Sequence, residues 1–401
     1  MAEAIAVPME RTPVTEAATI GNLQYKHINA IEQLLARLEV SPDVGIAVSR
    51  SCQQLARWYG AIVCANLVPN PWQHSYSFLV AEVDDRLAGV ARVSPFNRGG
   101  TTWQVEWVLV DPSVGNPEAL ATRNDIGSQL LRHCFEGIVA ANTWVLEVDV
   151  NDCQSLALYR HNGFQPIAQL TGWEIAPTEL ERVATSVPHL PNLLPVRNAD
   201  AQSIYQLDNV AMPPLLRQVF DRQVQDYKTG VSRQVRDRYR QWGEKVQSEA
   251  YYVFEPQRKA AIGYYRLTSP CRNNRNDSLA TPHIATLVVH PAYTWLYPEL
   301  MAQMARHCRE IDPNLPLCLR SADYQPEREE HLQRLGAIRS EHRLLMSRSV
   351  WHKLREARSF SLEGLQLPDV LQGLQPARQP SVSRWELNRQ WVARGDRSPT
   401  D

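Results

Sequence analysis

Apolar residues along this chain follow two rhythms, and the switches between them mark the elements. Ile28, Ile31, Leu34, Leu35 and Leu38 recur every three or four positions among polar residues, which predicts an amphipathic helix over 20–38. A second helical stretch is expected from Val48 to Leu67. The period then drops to two. Phe78–Val83 and Leu87–Val93, separated by Asp84 and Asp85, read as a hairpin. Thr101–Val110 reads as a third strand, ended by Asp111 and Pro112. Ile126–Val139 is helical, with Ile126, Leu130, Leu131, Cys134 and Phe135 on one side. Trp144–Val150 is a strand, Gln154–Asn162 a short helix closed by Gly163, and Ile167–Ile175 strand again. The order is α/β (α+β) with a mixed sheet, without the regular alternation of a doubly wound dinucleotide fold.

The same grammar returns further on. Tyr251–Glu255 and Ala261–Leu267 repeat the hairpin, and Thr286–Pro291 matches Trp107–Pro112. Arg306-His307-Cys308 follows Arg132-His133-Cys134 by 174 positions, and Leu335-Gly336 follows Asn162-Gly163 by 173. Three matches in order at a nearly constant offset indicate a duplicated unit. The stretch Pro188-His189-Leu190-Pro191 reads as a linker. The expected division is therefore 1–187, 192–355 and a polar tail over 356–401 that carries Trp385 and Trp391.

A chain of 401 residues is too long for one ordinary core and suits two. Its 44% hydrophobic and 21% charged residues exclude wholesale disorder. No basic run precedes an apolar stretch at the start, and no apolar run reaches ~18 residues, so neither a secretion signal nor a membrane span is expected. The seven cysteines form no Cys-x-x-Cys pair and the eleven histidines no His-Glu-x-x-His spacing. That pattern suggests a reducing, cytoplasmic setting and no metal site. Net charge −1 conceals an asymmetry: residues 1–187 hold 12 Lys and Arg against 20 Asp and Glu, the remainder 30 against 23. The halves can dock on each other, the basic half can meet a protein or nucleic-acid partner, or both can be plain solvated surfaces.

Candidate chemistry concentrates between Val105 and Phe164. A strand ending in Val110-Asp111-Pro112 leads to Ala121–Ser128, read as a loop that opens a helix. Orphan amide N–H groups and the positive end of a helix dipole suit a phosphate or pyrophosphate there. Gly127 would let the backbone approach, Ser128 offers a hydroxyl and Arg123 a charge. The downstream run Leu146–Phe164 then delivers Asn151-Asp152 from a strand and Tyr159 from a short helix ahead of Gly163-Phe164.

In these two motifs the chain resembles the GNAT superfamily of acyl-CoA-dependent N-acyltransferases, most clearly over 76–175 and more faintly over 194–350. The resemblance implies two GNAT-like units, each a mixed, mostly antiparallel sheet flanked by helices. It implies acetyl-CoA as co-substrate and an amine as acceptor. Ile126, Gly127 and Ser128 match the family's pyrophosphate turn, although Asp125 replaces its first glycine and Thr122 stands where Arg or Gln is usual. Val108, Leu109 and Val110 match the splayed strand whose backbone pairs with pantetheine amides. Asp152 falls at the family's asparagine position, with Asn151 one place away. Tyr159 matches the tyrosine that protonates the departing thiolate, with a packed core tyrosine as the other reading. Glu106 is the candidate general base, or else an ordinary strand glutamate. In the second unit Met301-Ala302 replace Gly127-Ser128 and Leu332 replaces Tyr159, which implies a non-catalytic copy. The alternative to an N-acetyltransferase is a GNAT-fold scaffold that engages a partner through its basic half.

Overall fold

The computed structural model describes residues 18–38, a few positions between 45 and 53, and 77–111, 120–228, 246–270 and 282–350. Most of the helical stretch expected over 48–67 and the tail at 356–401 lie outside the described residues. Asp84 and Asp85 both take positive φ, 51° and 58°, and turn the chain between β2 (Ser77–Val83) and β3 (Arg86–Pro95). Two left-handed residues in succession suit the right-handed twist of a hairpin, and Asp tolerates them. β1 (Thr19–Asn22) pairs with Leu79–Glu82 of β2. The first helix is consequently shorter than its pattern suggested: α1 spans Tyr25–Arg37. β4 (Thr102–Val110), α2 (Leu120–Gly137), β5 (Thr143–Asp149), α3 (Cys153–His161) and β6 (Gln165–Ile175) complete the first series.

α4 (Pro177–Ala184) leads into the second series. This comprises β7 (Leu193–Pro195), α5 (Ala201–Ala211), α6 (Pro214–Phe220), α7 (Val224–Tyr227), β8 (Val246–Glu255), β9 (Ala260–Pro270), β10 (His283–Val289), α8 (Leu296–Ile311), β11 (Leu317–Ala322), α9 (Pro326–Arg334) and β12 (Ile338–Ser349). Contacts carry the repeat as well as the sequence does. A Cβ on Gly89 would meet Ile126 Cγ2 at 3.2 Å, and one on Gly263 would meet Leu300 Cδ1 at 3.0 Å. Each glycine and each partner is 174 positions from its counterpart. Both glycines let the helix after the next strand settle on the hairpin.

All strands join one 12-stranded sheet in the order β1-β2-β3-β4-β5-β12-β6-β11-β10-β9-β8-β7. The two halves exchange their final strands. β12 pairs along β5 from Arg343↔Asp149 to Ser349↔Thr143, and β6 pairs along β11 from Leu317↔Ile175 to Ala322↔Leu170. β6 and β12 lie against each other at the centre. No break in the sheet accompanies the boundary drawn at the linker.

Helices cover both faces. Over the first half, α2 and α3 bury Ile126, Leu130, Leu131 and Tyr159 against Trp103, Val105, Trp144 and Leu146. On the opposite face α1 buries Ile28, Ile31 and Leu34 against Phe78, Val90, Trp107 and Leu109. α6, from the second half, crosses back to the first: Leu216, Val219 and Phe220 cluster with Val145, Ala168 and Leu345. Asn97 Nδ2 secures that crossing by donating to the carbonyl of Asp221 at 2.9 Å, and Thr102 Oγ1 donates to the carbonyl of Val219 at 2.9 Å.

Candidate functional site

β4 and β5 run parallel and pair from Thr102↔Thr143 to Val105↔Leu146, where the pairing stops. Beyond that point β4 keeps β3 on its outer edge, Trp107–Val110 against Arg92–Gly89. β5 keeps β12, Glu147–Asp149 against Leu345–Arg343. The inner edges diverge into a wedge with no ladder between Glu106–Val110 and Glu147–Asp149. An extended ligand that carries amides can pair with such edges as an added strand does.

Glu106 stands at the apex. Val93 opposes Val105 and Arg92 opposes Trp107, so Glu106 is the extra residue of a β-bulge. The bulge inverts the facing of the strand: Trp103 and Val105 enter the core under α2, whereas Trp107 and Leu109, of the same parity, enter the core under α1. Bulges re-aim side chains in this way beside functional sites. Arg92 and Glu106 form an ion pair, with Nε 2.9 Å from Oε2, and the Arg92 guanidinium lies 5.3 Å from the Phe78 ring. The pair therefore sits on the α1 face.

On the other arm, Glu147 is the first residue past the last β4–β5 pair. Its neighbours Leu146 and Val148 enter the core under α2, so Glu147 faces the same way as Glu106. Arg320 of β11 reaches across β6 and β12 to it, with Nη1 donating to Glu147 Oε2 at 2.7 Å. Arg320 Nη2 meets Glu341 Oε2 at 3.4 Å, and Arg343 Nε meets the same oxygen at 3.0 Å. Neither Arg92 nor Glu147 nor Arg320 stands out in the sequence as a site residue. One signal was available: Glu147 and Arg320 are repeat counterparts, 173 positions apart.

The residues expected to cradle a pyrophosphate stand elsewhere than expected. α2 begins at Leu120, so Ile126, Gly127 and Ser128 lie about two turns inside the helix, where backbone N–H groups already have helical partners. All three are buried. Ile126 packs in the core. A Cβ on Gly127 would come within 2.9 Å of Leu158 Cδ2, so this glycine lets α2 and α3 touch. Ser128 Oγ accepts from Asn162 Nδ2 at 2.7 Å, which ties the end of α3 to α2. The Arg123 side chain lies outside the described residues.

At the far end of β5, Asp152 caps α3 by accepting from the Ser155 N–H at 3.0 Å. Asn151 is exposed, and its own N–H donates to Asp149 Oδ1 at 2.8 Å. Tyr159 is buried in the core under α2, its ring edge-on to Phe164 at 5.9 Å. Burial, and then the charge of Asp152, push its phenol well above the ordinary tyrosine range, so it keeps its proton. Val108 is half-buried, while Leu109 and Val110 are buried in the cores on opposite faces of the sheet.

The second half parts at the corresponding place. β10 and β11 pair from His283↔Leu317 to Ala285↔Leu319 and then separate. This wedge is filled from within. Arg328 of α9, 4% exposed, donates from Nη1 to the Arg320 carbonyl at 3.0 Å and from Nη2 to the Leu287 carbonyl. One guanidinium thus bridges both arms. Its charge lies 6.0 Å from the Tyr297 ring, and burial lowers its pKa. In the matching registers Leu287 corresponds to Val108 and Arg320 to Glu147, while Arg328 corresponds to Ser155 and Leu332 to Tyr159. β10 has no bulge: Arg266 opposes Thr286 and Leu267 opposes Ala285, so no residue corresponds to Glu106.

Among the described residues no group of three or more His, Cys, Asp or Glu is placed to hold a metal ion, and no helix is long and apolar enough to cross a membrane. Residues 74–166 match the family model for an acetyltransferase (GNAT) domain. A tandem GNAT protein from the clavulanic acid biosynthesis pathway is similar in structure, with a TM-score of 0.50 at 14% identity, covering 83% of this chain and 98% of that one. A GCN5-related N-acetyltransferase from Sphaerobacter thermophilus aligns with a TM-score of 0.48 at 12% identity over 83% of this chain and 95% of its own. One from Kribbella flavida aligns at 0.43 and 11% over 83% and 72%. No curated protein matches the chain in sequence.

Proposed function

We propose that this chain, a GNAT-superfamily protein with two GNAT-like units in tandem, transfers an acetyl or other short acyl group from coenzyme A to an amine at the wedge between β4 and β5. The observation that carries this reading is the difference between the two openings. In the second unit the carbonyls of Leu287 and Arg320 are taken by Arg328; in the first, Ser155 stands at the position of Arg328 and is too short to reach their counterparts at Val108 and Glu147. An extended arm with amide groups fits that vacancy of donors. Bound there, acyl-CoA supplies an activated thioester.

The chain's own groups then divide the work. The backbone of Val108, Leu109 and Val110 pairs with the pantetheine amides, and the amino-terminal end of α2, with Arg123 in its first turns, takes the phosphates. Asn151, exposed at the end of β5, is the polar group there that remains to meet the cofactor, since Asp152 serves as a cap. Ile126, Gly127 and Ser128 act indirectly by seating α2 on β3 and α3. Glu106, aimed by its bulge and held by Arg92, accepts a proton from the acceptor amine. Tyr159, kept neutral by burial, gives its proton to the departing thiolate.

The five described cysteines are free thiols, which fits a cytoplasmic setting. Calorimetry with acetyl-CoA should find one site per chain, and Tyr159→Phe should lower kcat about 100-fold while leaving that affinity in place. Two sites per chain would overturn the division of labour between the units. An absence of any binding would leave the scaffold reading.

A further inference from the structure

Six charged side chains, three of each sign, run across the α1-side face at the first wedge: Arg92 pairs with Glu106 of the β4 arm, and Glu147 of the β5 arm pairs with Arg320, which is joined through Glu341 to Arg343, so that the two carboxylates at the parting of the strands have an arginine on either side. Arg320 comes from the second unit. Its pair with Glu147 adds little to stability, because Arg320 is 50% exposed. It does hold two carboxylates, Glu147 and Glu341, with one guanidinium, and so aims Glu147 at the place where the strands part.

We infer that the second unit completes the acceptor site of the first through Arg320, and that the acceptor is a zwitterionic, amino-acid-like amine whose carboxylate is taken by Arg320 while its ammonium lies toward Glu106 and Glu147. The inference rests on the proposed acyl transfer. A purely cationic polyamine would meet three arginines as well as three glutamates on this face. A plain anion would meet the glutamates. A molecule with both charges complements the two carboxylates at the parting of the strands and the arginine beside them, and the half-exposed planar fork of Arg320 suits a carboxylate. The arrangement also gives the unit with the filled wedge a reason to persist, since it supplies a binding residue to its neighbour.

The test compares the common L-amino acids with their decarboxylated amines as acceptors for the full chain, with thiol release as the readout and acetyl-CoA affinity measured separately by calorimetry. Wild type should favour one or more amino acids over the corresponding amine by at least about tenfold. Arg320→Met should raise the KM for the amino acid about tenfold, leave kcat and acetyl-CoA affinity near wild type, and erase the preference. Arg320→Lys should restore part of it. A wild type that binds acetyl-CoA but acylates no amino acid, or an Arg320→Met chain that keeps the preference, overturns the inference and leaves the proposed function standing. A wild type that binds no acetyl-CoA overturns both.

Discussion

The two wedges of this molecule have corresponding strands, the same parallel start and the same divergence, yet the second is bridged from within by a side chain and the first, among the described residues, is not. The difference is made by one side chain. Where the first unit has Ser155 at the head of α3, the second has Arg328, whose guanidinium answers the Leu287 and Arg320 carbonyls. Backbone groups that a ligand could pair with as an added strand are, in the second unit, already answered from inside the fold. The second unit also has no counterpart of Glu106 and has Leu332 at the position of Tyr159.

The most severe way to break the comparison is to cut the units apart. A chain of residues 1–187 retains β5 and β6 but lacks β12, the strand between them, and leaves their edges bare. It should be poorly soluble, should lack a cooperative melt in circular dichroism and should not bind acetyl-CoA. A soluble fragment that melts and binds like the full chain would show that the exchanged strand is dispensable. Next in size is Arg328→Met. Two buried carbonyls lose their donors, which should lower stability by about 2 kcal/mol in denaturant titration. Stoichiometry then sharpens the result: acetyl-CoA should still bind once, because α8 carries Glu299 in its first turn, where it repels phosphates, whereas α2 has no acidic residue there.

Gly127→Ala probes the helix contact that differs between the units. The new Cβ must displace Leu158, and we expect a loss of about 1 kcal/mol in the same titration, with overpacking outweighing the gain in helix propensity. The smallest effect is at the outer edge of the first unit. Hydrogen bonds from Lys26 first, and then His27, hold the Glu82 carboxyl below its ordinary range. Because its folded value is lowered, the stabilisation is present above the unfolded glutamate value of about 4.3 and is lost as pH falls through the lower folded value. Glu82→Gln should therefore lower the melting temperature slightly at pH 7 and hardly at all near pH 3.

Much of the first unit was legible because its strands alternate cleanly and Asp84-Asp85 marks a turn. The duplication was legible because Gly163 and Gly336, with the two Arg-His-Cys triplets, keep their spacing. Other features left no local trace. Trp103, Val105, Trp107 and Leu109 read as one unbroken alternation, which conceals the bulge at Glu106 that reverses the facing halfway along. Arg328 sits in Pro326–Arg334, a run so charged that it reads as a solvated helix, and only the fold shows that one of its arginines is buried. α4 and α5–α7 leave little trace because each is short, 4 to 11 residues, and Pro213-Pro214 interrupts the run. Ile126–Ser128 were misplaced because a glycine before an apolar stretch imitates a helix start, whereas Gly127 answers to the thickness of Leu158. Strand order is a long-range property, and nothing in the neighbourhood of Thr143 or Ser349 announces that they pair.

The exchange of β6 and β12 also sets a timetable. On a ribosome the strands of the first unit through Asp149 emerge early, but the strand that must lie against β5 begins at Ile338, roughly 190 residues later. At roughly 5–20 residues per second this is a wait on the order of 10–40 s. During that interval β5 has an exposed hydrogen-bonding edge, and β6 has no neighbour until β11 emerges at Leu317. The nascent first unit is thus a client for whatever shields unfinished sheets in the cell, and synthesis speed beyond α4 becomes a determinant of yield.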